Sequence, residues 1–377
     1  MLRAATGPQT MNPLLELKAL GQRVWLDNLS RTLLREGGLR RLIDEDGIAG
    51  VTSNPTIFHK AISESPYYRD DRSLLQADGA LSPEQRYERL AIPDIQGACD
   101  LLRAGFEATQ GEDGYVSLEV SPALAHDAAA TVAAALRLRG QVNRPNLFIK
   151  VPATPAGMRA IEDLTAEGVS VNVTLMFSLE HVRAVAGAYI RGLKRCTSNG
   201  GDPRKVKSVA SLFLSRVDTL IDKRLEALGG DALALRGKSG VALAKLAYYE
   251  YRAAFKGNAF AALAQVGARP QYMLWASTGT KNPAYSDVLY VESLIGPETV
   301  NTLPDATLAA FRDHGRAAPT LERGIDEAHA QFEALRRSGI DMREVGETLQ
   351  ADGLKLFGQS FTELLALMEP SPVTDTA

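Results

Sequence analysis

Lys150 is the residue of this sequence whose type and position point most directly to chemistry. It follows an apolar run at residues 147–149 in the segment NLFIKVPATPAG. A short apolar run bounded by turn-forming residues is typical of a buried parallel strand. A lysine at the end of such a strand is costly unless its charge is paired or its proton is lost, and a neutral amine can form a Schiff base with a carbonyl substrate. The alternative is a lysine that reaches solvent or pairs with a carboxylate without taking part in chemistry.

Seven other segments show the same order of an apolar strand, a polar strand end and a helix. Short runs of apolar and β-branched residues predict these strands, and the last of them has the weakest signal. The predicted strands cover residues 24–26, 50–53, 115–118, 169–171, 208–210, 272–275 and 299–302. The polar residues at or just after their ends are Asp27, Asn54, Glu119, Asn172, Thr174, Ser211, Arg216, Ser277 and Lys281.

Helical segments separate the predicted strands. Asn12 before Pro13, the capping box at Ser82, and Ser178 each match the start signals of a helix. Eight alternating strands and helices predict an α/β (β/α)8 TIM barrel with additional N-terminal and C-terminal helices, and catalytic groups at the C-terminal ends of the strands. The alternative is an open doubly wound sheet, but the sequence has no GxGxxG after the first strand and no P-loop motif.

Composition limits the classes of function. The 377 residues are 45% hydrophobic and 23% charged, which allows a large core, and we predict one barrel domain over residues 11–368. Residues 1–10 and 369–377 are predicted to be disordered. The net charge of −3 indicates no attraction to nucleic acid or to a membrane. The sequence has no apolar run of membrane-spanning length and no signal core, so we expect a cytoplasmic location.

Five segments together resemble the transaldolases. They are GVTSNPTIF, VSLEV, NLFIKVPAT, GVSVNVTLMFS and SLFLSRVD, in this order. The resemblance extends over residues 15–368, and the segment WASTGTKNPAYSD is similar to the longer bacterial subgroup. It implies a lysine Schiff-base mechanism without metal or other cofactor, and sugar phosphates as substrates. A dihydroxyacetone unit would pass from sedoheptulose 7-phosphate to glyceraldehyde 3-phosphate, to give erythrose 4-phosphate and fructose 6-phosphate.

The resemblance implies catalytic roles for four residues. Lys150 would form the imine, and Asp27 would take the proton of the C4 hydroxyl when the C3–C4 bond breaks. Glu119 and Thr174 match the family positions that hold a catalytic water near the lysine. Each has a plainer alternative: Asp27 as a helix cap or turn residue, Glu119 as a structural partner of the lysine, and Thr174 as an ordinary strand residue.

Three further residues match family positions that contact the hydroxyl groups of the substrate. Asn54 and Asn172 correspond to residues that hydrogen-bond these hydroxyls, and an amide offers donors and an acceptor without charge. Ser211 matches a residue near the C1 hydroxyl of the dihydroxyacetone unit. Asn54 with Pro55 could instead form only a turn.

The phosphate-binding arginine of the family is matched by Arg216. A guanidinium suits this role because it can contact a phosphate through two donors. Its alternative is a surface salt bridge with Asp218 or Asp222.

The sequence departs from the family at the second phosphate contact. Many transaldolases carry an arginine two residues after the serine that ends the seventh strand, but here Ser277 is followed by Gly279 at that position. Backbone N–H groups at Gly279 can still bind phosphate. Lys281 is the nearest residue able to supply the charge.

Phe213 separates the transferase from a fructose 6-phosphate aldolase on the same barrel. Related aldolases carry a tyrosine there, whose hydroxyl helps water to protonate the carbanion, whereas phenylalanine offers no such route. A non-catalytic sugar-phosphate-binding barrel is the third possibility, although it need not preserve the four catalytic residues. The sequence leaves the oligomeric state open: the extra helices between Arg216 and Tyr272 could cover the barrel, cap the site or support a homo-oligomer.

Overall fold

Eight parallel strands form a closed barrel in the computed structural model, which describes residues 12–370. The strands are Gln22–Leu26 (β1), Gly50–Thr52 (β2), Tyr115–Glu119 (β3), Leu147–Pro152 (β4), Val171–Met176 (β5), Ser208–Phe213 (β6), Tyr272–Ala276 (β7) and Thr299–Leu303 (β8). They follow one another around the barrel in chain order, and β1 closes it by pairing with β8 over its whole length. The predicted TIM barrel is confirmed.

Helices surround the barrel and extend beyond it at both ends of the described chain. Asn12, Ser82 and Ser178 accept hydrogen bonds at the starts of three of them, as predicted. The α-helices are Pro13–Ala19 (α1), Arg31–Arg35 (α2), Gly38–Asp46 (α3), Pro55–Glu64 (α4), Arg69–Ala77 (α5), Pro83–Ala108 (α6), Ala128–Val142 (α7), Pro155–Ala166 (α8), Leu179–Ser198 (α9), Ser215–Leu228 (α10), Ser239–Phe255 (α11), Asn258–Gln265 (α12), Leu289–Glu292 (α13), Asp305–His314 (α14), Ile325–Arg337 (α15) and Met342–Ala366 (α16). Of the extra helices between β6 and β7, α11 packs against α9 and α15 and so belongs to the outer cover of the barrel.

The fifth strand begins and ends later than the sequence predicts. The N–H of Val169 donates to the Leu164 carbonyl at 2.9 Å, so this residue still belongs to the turn that ends α8. The strand therefore starts at Val171. It bulges near its end, where Leu175 adopts a φ of 57°. A bulge redirects the local backbone, and here it leaves the Leu175 carbonyl free to bind α16.

The N-terminal half of the barrel interior is filled by side chains. Trp25 of β1 and Phe148 of β4 lie on strands that are not neighbours, yet their ring centroids are 5.9 Å apart, so they meet across the interior. Tyr115 stacks on Phe148 with a centroid distance of 4.1 Å. At the N-terminal mouth, the Nζ of buried Lys207 lies 2.7 Å from the Glu112 carboxylate. The cavity of the barrel therefore lies at the C-terminal ends of the strands, as is usual for this fold.

Helix α16 crosses the C-terminal ends of β4 and β5. The Nε2 of Gln350 donates to the Ala153 carbonyl at 2.9 Å and to the Leu175 carbonyl at 3.1 Å. Gly353 packs closely against Leu175: a Cβ added to the glycine would lie 2.9 Å from the leucine side chain. These contacts place Phe357, one helical turn further along, over the barrel opening.

The predicted termini lie largely outside the described residues. Residues 1–10 and 371–377 fall there, so their predicted disorder and the domain limits stay predictions. Glu369, the first residue of the predicted tail, is described, and its carbonyl accepts a hydrogen bond from Gln76 at 2.8 Å. No helix between residues 12 and 370 is both long and apolar enough to cross a bilayer.

Gly157, in the first turn of α8, allows that helix to turn sharply back from β4. A Cβ at this position would overlap the Pro152 carbonyl oxygen. We therefore expect Gly157→Ala to lower the free energy of unfolding by about 1–3 kcal/mol, as measured by urea denaturation. Gly140 in α7 is the matched control: its added Cβ meets no atom within 4 Å, so Gly140→Ala should raise stability by about 0.5–1 kcal/mol. Equal stability of the Gly157→Ala variant and the wild type would contradict this account of the turn.

Candidate active site

A cavity of about 320 Å³ opens at the C-terminal ends of the strands. Most of the predicted site residues line it: Asp27, Asn54, Lys150, Ser211, Phe213, Arg216, Ser277 and Lys281. Glu119, Asn172 and Thr174 are not among the residues that line it. Cavities of a few hundred Å³ are the size of small-molecule sites. A larger open cleft of about 930 Å³ lies at the opposite end of the barrel, but it contains none of the predicted residues.

The amine of Lys150 lies at the floor of the cavity and is almost fully buried, with 4% of the residue exposed. Its Nζ is 3.3 Å from Glu119 Oε2 and donates to the Ser53 carbonyl at 3.3 Å. The parallel register of β3 and β4 produces the first contact, because Glu119 pairs directly with Lys150. The geometry of the amine and the carboxylate is that of a close ion pair without a well-aligned hydrogen bond.

The carboxylate of Glu119 is therefore a structural partner of the lysine, as one of the two interpretations expected. Burial raises the pKa of Glu119, and the charge of Lys150 opposes this rise. A carboxyl group with a raised pKa next to an amine can accept a proton and return it. The ion pair and a role in proton transfer are thus compatible.

Asp27 lies just beyond the end of β1 and faces the same cavity. The hydroxyl of Thr52 donates to its Oδ1 at 2.8 Å. Burial raises the pKa of Asp27, while the charge of Lys150 and the hydrogen bond from Thr52 oppose the rise. The helix-cap alternative does not hold here, because Ser30 caps the following helix through a 3.1 Å bond to the Leu33 N–H.

Asn172 and Thr174 of β5 are both fully buried. The Asn172 amide donates to Ser117 Oγ at 3.0 Å and accepts from Ser211 Oγ at 2.7 Å. Ser211 lines the cavity, so Asn172 supports it from behind. The hydroxyl of Thr174 has no hydrogen-bond partner among residues 12–370, and buried hydroxyls of this kind commonly bind a water molecule.

The side chain of Asn54 has two separate tasks available to it. Its Oδ1 accepts a 2.9 Å hydrogen bond from the Ile57 N–H and so caps α4, which starts at Pro55. This satisfies the turn interpretation of Asn54 and Pro55. The Nδ2 group is the part of the amide left for a ligand, and it can only donate.

Arg216 forms no ion pair with any carboxylate in the described part of the chain. Its guanidinium carbon lies 5.4 Å from the Phe213 ring centroid and 5.8 Å from that of Phe357. One of its buried nitrogens, Nη1, has no hydrogen-bond partner there, and burial lowers the pKa of Arg216. The salt bridge to Asp218 or Asp222 is not formed; these carboxylates accept hydrogen bonds from the hydroxyls of Tyr290 and Tyr285. A half-buried, unpaired guanidinium at a cavity wall is suited to an anionic ligand.

The departure from the family at Gly279 has no packing cause. An added Cβ there would be 3.5 Å or more from its nearest neighbours, which is an ordinary contact distance. Ser277 adopts a φ of 54°, and its hydroxyl lies 2.7 Å from that of Ser215. Lys281 is exposed at the mouth of the cavity. The loop thus brings a lysine, in place of an arginine, to the edge of the site.

Three of the cavity residues that the sequence analysis did not single out lie beside Lys150 or in the hydrogen-bond chain to Asp27. Phe357 of α16 contributes an aromatic wall, and its ring centroid is 5.8 Å from Lys150 Nζ. Thr52 donates to Asp27, and the hydroxyl of Thr302 lies 2.7 Å from that of Thr52. The threonines follow ordinary strand patterns, and Phe357 fits the apolar face of its helix, so local spacing contains no signal for any of them.

Fold and site together define a (β/α)8 barrel whose cavity contains a buried amine flanked by two carboxylates. The sequence profile of the family described as Transaldolase/Fructose-6-phosphate aldolase matches residues 24–368, and this chain belongs to that family. The chain is 56% identical to the transaldolase of Thiobacillus denitrificans over 357 aligned residues. The alignment covers 94% of this chain and 99% of the relative. The transaldolase of Neisseria gonorrhoeae is 48% identical over 356 residues (94% and 99%), and that of Mycolicibacterium paratuberculosis is 49% identical over 359 residues (94% and 96%). The resemblance found in the sequence is confirmed.

The hydroxyl of Thr52 should tune the pH dependence of activity through Asp27. If Asp27 is the base that the family resemblance implies, it must be deprotonated to work. Activity then falls as pH drops through the pKa of Asp27, which burial holds above the usual aspartate range. Because the Thr52 bond favours the ionised form, Thr52→Val should raise the pKa of Asp27 further. We expect the acid limb of the kcat/KM profile to move to higher pH.

Thr302→Val is the matched control for this measurement. It removes a neighbouring hydroxyl but leaves the bond from Thr52 to Asp27 in place. Its acid limb should coincide with that of the wild type. Equal movement of the limb in both variants would contradict the assignment to Asp27.

Proposed function

We propose that this protein is a transaldolase that transfers a dihydroxyacetone unit from sedoheptulose 7-phosphate to glyceraldehyde 3-phosphate. The observation that supports this most is the buried Lys150 amine, 3.3 Å from Glu119 at the floor of a cavity with cationic groups on its wall and mouth. The relatives named above have the same activity in their names. A cytoplasmic location and a homo-oligomeric state stay predictions.

Imine formation is the first step. The neutral Lys150 amine attacks C2 of the ketose, and the new N–C bond converts the carbonyl to a carbinolamine. Protonation of the C2 hydroxyl lets it leave as water, and the nitrogen becomes a protonated imine. Glu119 is placed to hold the proton that the amine releases, and the hydroxyl of Thr174 can orient the water that carries it.

Cleavage of the C3–C4 bond follows. Asp27 takes the proton of the C4 hydroxyl, the C4 oxygen forms a carbonyl, and the electron pair of the broken bond moves into the imine to give an enamine. The first aldehyde leaves, and C3 of the enamine then attacks the acceptor aldehyde. Asp27 returns the proton to the new hydroxyl, and hydrolysis releases the product from Lys150.

The substrate is held at both ends in this proposal. Near the imine, the Ser211 hydroxyl donates its proton to Asn172 and can accept a hydrogen bond from the C1 hydroxyl, while Asn54 donates through Nδ2. At the far end, Arg216 and Lys281 bind the phosphate. The Arg216 side chain is suited to this because it has no carboxylate partner among the described residues and one unpaired nitrogen.

Phe213 favours transfer over simple release of dihydroxyacetone. Its ring lines the cavity and packs against Phe177 at a centroid distance of 5.3 Å. An apolar wall offers no acid next to the enamine, so the intermediate persists until an aldehyde captures it. This observation weighs against a fructose 6-phosphate aldolase as the main activity.

Borohydride trapping tests the nucleophile. In the presence of fructose 6-phosphate, reduction should add a three-carbon unit to Lys150, mapped by peptide mass spectrometry. Lys207 is an internal control, since burial lowers its pKa to about 8 but its amine lies at the opposite end of the barrel beside Glu112. Lys150→Ala should lose the adduct and reduce turnover by about a thousandfold or more.

Asp27→Asn refines the same experiment. This variant should form the imine but fail to cleave the C3–C4 bond, so the trapped adduct should contain six carbons. An adduct on Lys207 or another lysine, or normal turnover of the Lys150→Ala variant with erythrose 4-phosphate as acceptor, would overturn the proposed function.

Phe213→Tyr tests the choice between transfer and release. The new hydroxyl can orient a water that protonates the enamine, so dihydroxyacetone release from fructose 6-phosphate alone should rise and transfer to erythrose 4-phosphate should fall. Both rates are measured by coupled assays on the same preparation. Brisk release by the wild type, independent of acceptor, would assign this protein to the aldolases instead.

A further inference from the structure

Asp222 ties two separate segments to α10. Its Oδ1 accepts a hydrogen bond from the Gly237 N–H at 2.9 Å, and its Oδ2 accepts one from the Tyr285 hydroxyl at 2.7 Å. The Tyr285 ring lies directly against Gly237, since an added Cβ there would be 2.6 Å from the ring. Glycine at this position also adopts a φ of 67°. The small residue therefore lets the tyrosine reach the carboxylate.

Asp218 repeats this pattern one helical turn earlier. Its Oδ1 accepts from the Gly240 N–H at 2.9 Å, and its Oδ2 accepts from the Tyr290 hydroxyl at 2.7 Å. Burial raises the pKa of Asp218 to about 6, although the Tyr290 bond opposes the rise. At neutral pH the carboxylate is mostly ionised and accepts charge-assisted hydrogen bonds, which are stronger than neutral ones.

A third pair of contacts, nearer the cavity, joins the start of α10 to the segment that follows β7. The hydroxyls of Ser215 and Ser277 are 2.7 Å apart, and the Ser215 N–H donates to the Ser277 carbonyl at 3.0 Å. The 277–290 segment, which runs from the end of β7 into α13, is thus held on α10 at its start, near its middle and at its end.

The two parts that these ties join each contribute one cation to the cavity. Arg216 is in the first turn of α10, and Lys281 is in the 277–290 segment. Because Gly279 has no side chain, the second positive charge depends on Lys281, whose stem is long and flexible. The distance between the two cations therefore depends on how firmly the 277–290 segment is held on α10.

We propose that the two aspartate–tyrosine pairs form a latch that positions Lys281 relative to Arg216 and so shapes the phosphate end of the cavity. The inference rests on the proposed function, which gives both cations the task of binding substrate phosphate. The four latch residues are positioning residues, because they act through the cations. A merely structural role would change the kinetics of all substrates alike, whereas a positioning role changes those of phosphorylated substrates.

Tyr285→Phe tests the latch, because it removes the hydroxyl and keeps the ring. We expect the KM for fructose 6-phosphate to rise about threefold to tenfold, the range for loss of one hydrogen bond, with kcat within about twofold of the wild type. With fructose and unphosphorylated erythrose as the substrate pair, which yields sedoheptulose and glyceraldehyde, KM should not change. Tyr249→Phe on α11 is the matched control, since that exposed hydroxyl makes no hydrogen bond within residues 12–370.

A double-mutant cycle with Lys281→Ala tests whether the latch acts through the lysine. Lys281→Ala should raise the KM for fructose 6-phosphate in the wild type but have a smaller effect in the Tyr285→Phe background, because neighbours in one unit are not additive. The proposal would be overturned if the KM increases caused by Tyr285→Phe and Lys281→Ala simply multiply in the double variant. It would also be overturned if Tyr285→Phe raised KM equally for the phosphorylated and the unphosphorylated substrate pair.

Two further measurements cover failure of folding and failure of the proposed function. If Tyr285→Phe does not fold, as judged by circular dichroism, Tyr290→Phe replaces it in the same cycle. If the wild type shows no transfer, the proposed function fails by itself, and calorimetric binding of inorganic phosphate tests the latch. Weaker binding to Tyr285→Phe than to the wild type and to Tyr249→Phe supports the latch, while equal binding, or no binding to any of the three, overturns it.

Discussion

The burial of the Lys150 amine is the constraint on which the rest of the site depends. A charged ammonium at the floor of a cavity is costly unless acceptors surround it. The parallel register places Glu119 beside it on the neighbouring strand, and the Ser53 carbonyl supplies a second acceptor. Burial of Glu119 itself raises the pKa of its carboxyl group, and the charge of Lys150 opposes this rise. The group that stabilises the ammonium is therefore also able to exchange a proton with it.

Closure of the barrel then determines where the other groups must lie. Because all eight strands are parallel, their C-terminal ends lie around one opening of the barrel. Aromatic side chains fill the N-terminal half, so the cavity lies at this opening. Asp27 reaches this opening from β1, and its charge adds to the rise in the pKa of Glu119, while the ammonium of Lys150 opposes it. The two carboxylates differ in their partners, because Thr52 donates to Asp27 and the amine contacts Glu119. Different environments for two nearby carboxyl groups allow them to take different tasks.

The phosphate end of the cavity, where Arg216 and Lys281 lie, contains charges without partners among residues 12–370 instead of a buried ion pair. Its cations lack carboxylate partners within the described chain, which costs stability in the free protein and leaves them available to an anion. They come from two parts of the chain separated by more than fifty residues, and hydrogen bonds along α10 join those parts. The amine end is thus built into the rigid strands, whereas the phosphate end depends on a loop and on the ties that hold it.

The barrel, its strand ends and several helix starts can be read from the sequence, because apolar periodicity and capping residues act over a few positions. Parallel strands also bring their C-terminal ends together, so polar residues at those ends could be assigned to one site. Local patterns could not show that Asn172 lies behind Ser211, that Arg216 is unpaired or that Phe357 covers the opening. These depend on contacts between residues far apart in the chain, such as Lys150 and Phe357, and only the packing of the folded chain selects among the partners that each residue type allows.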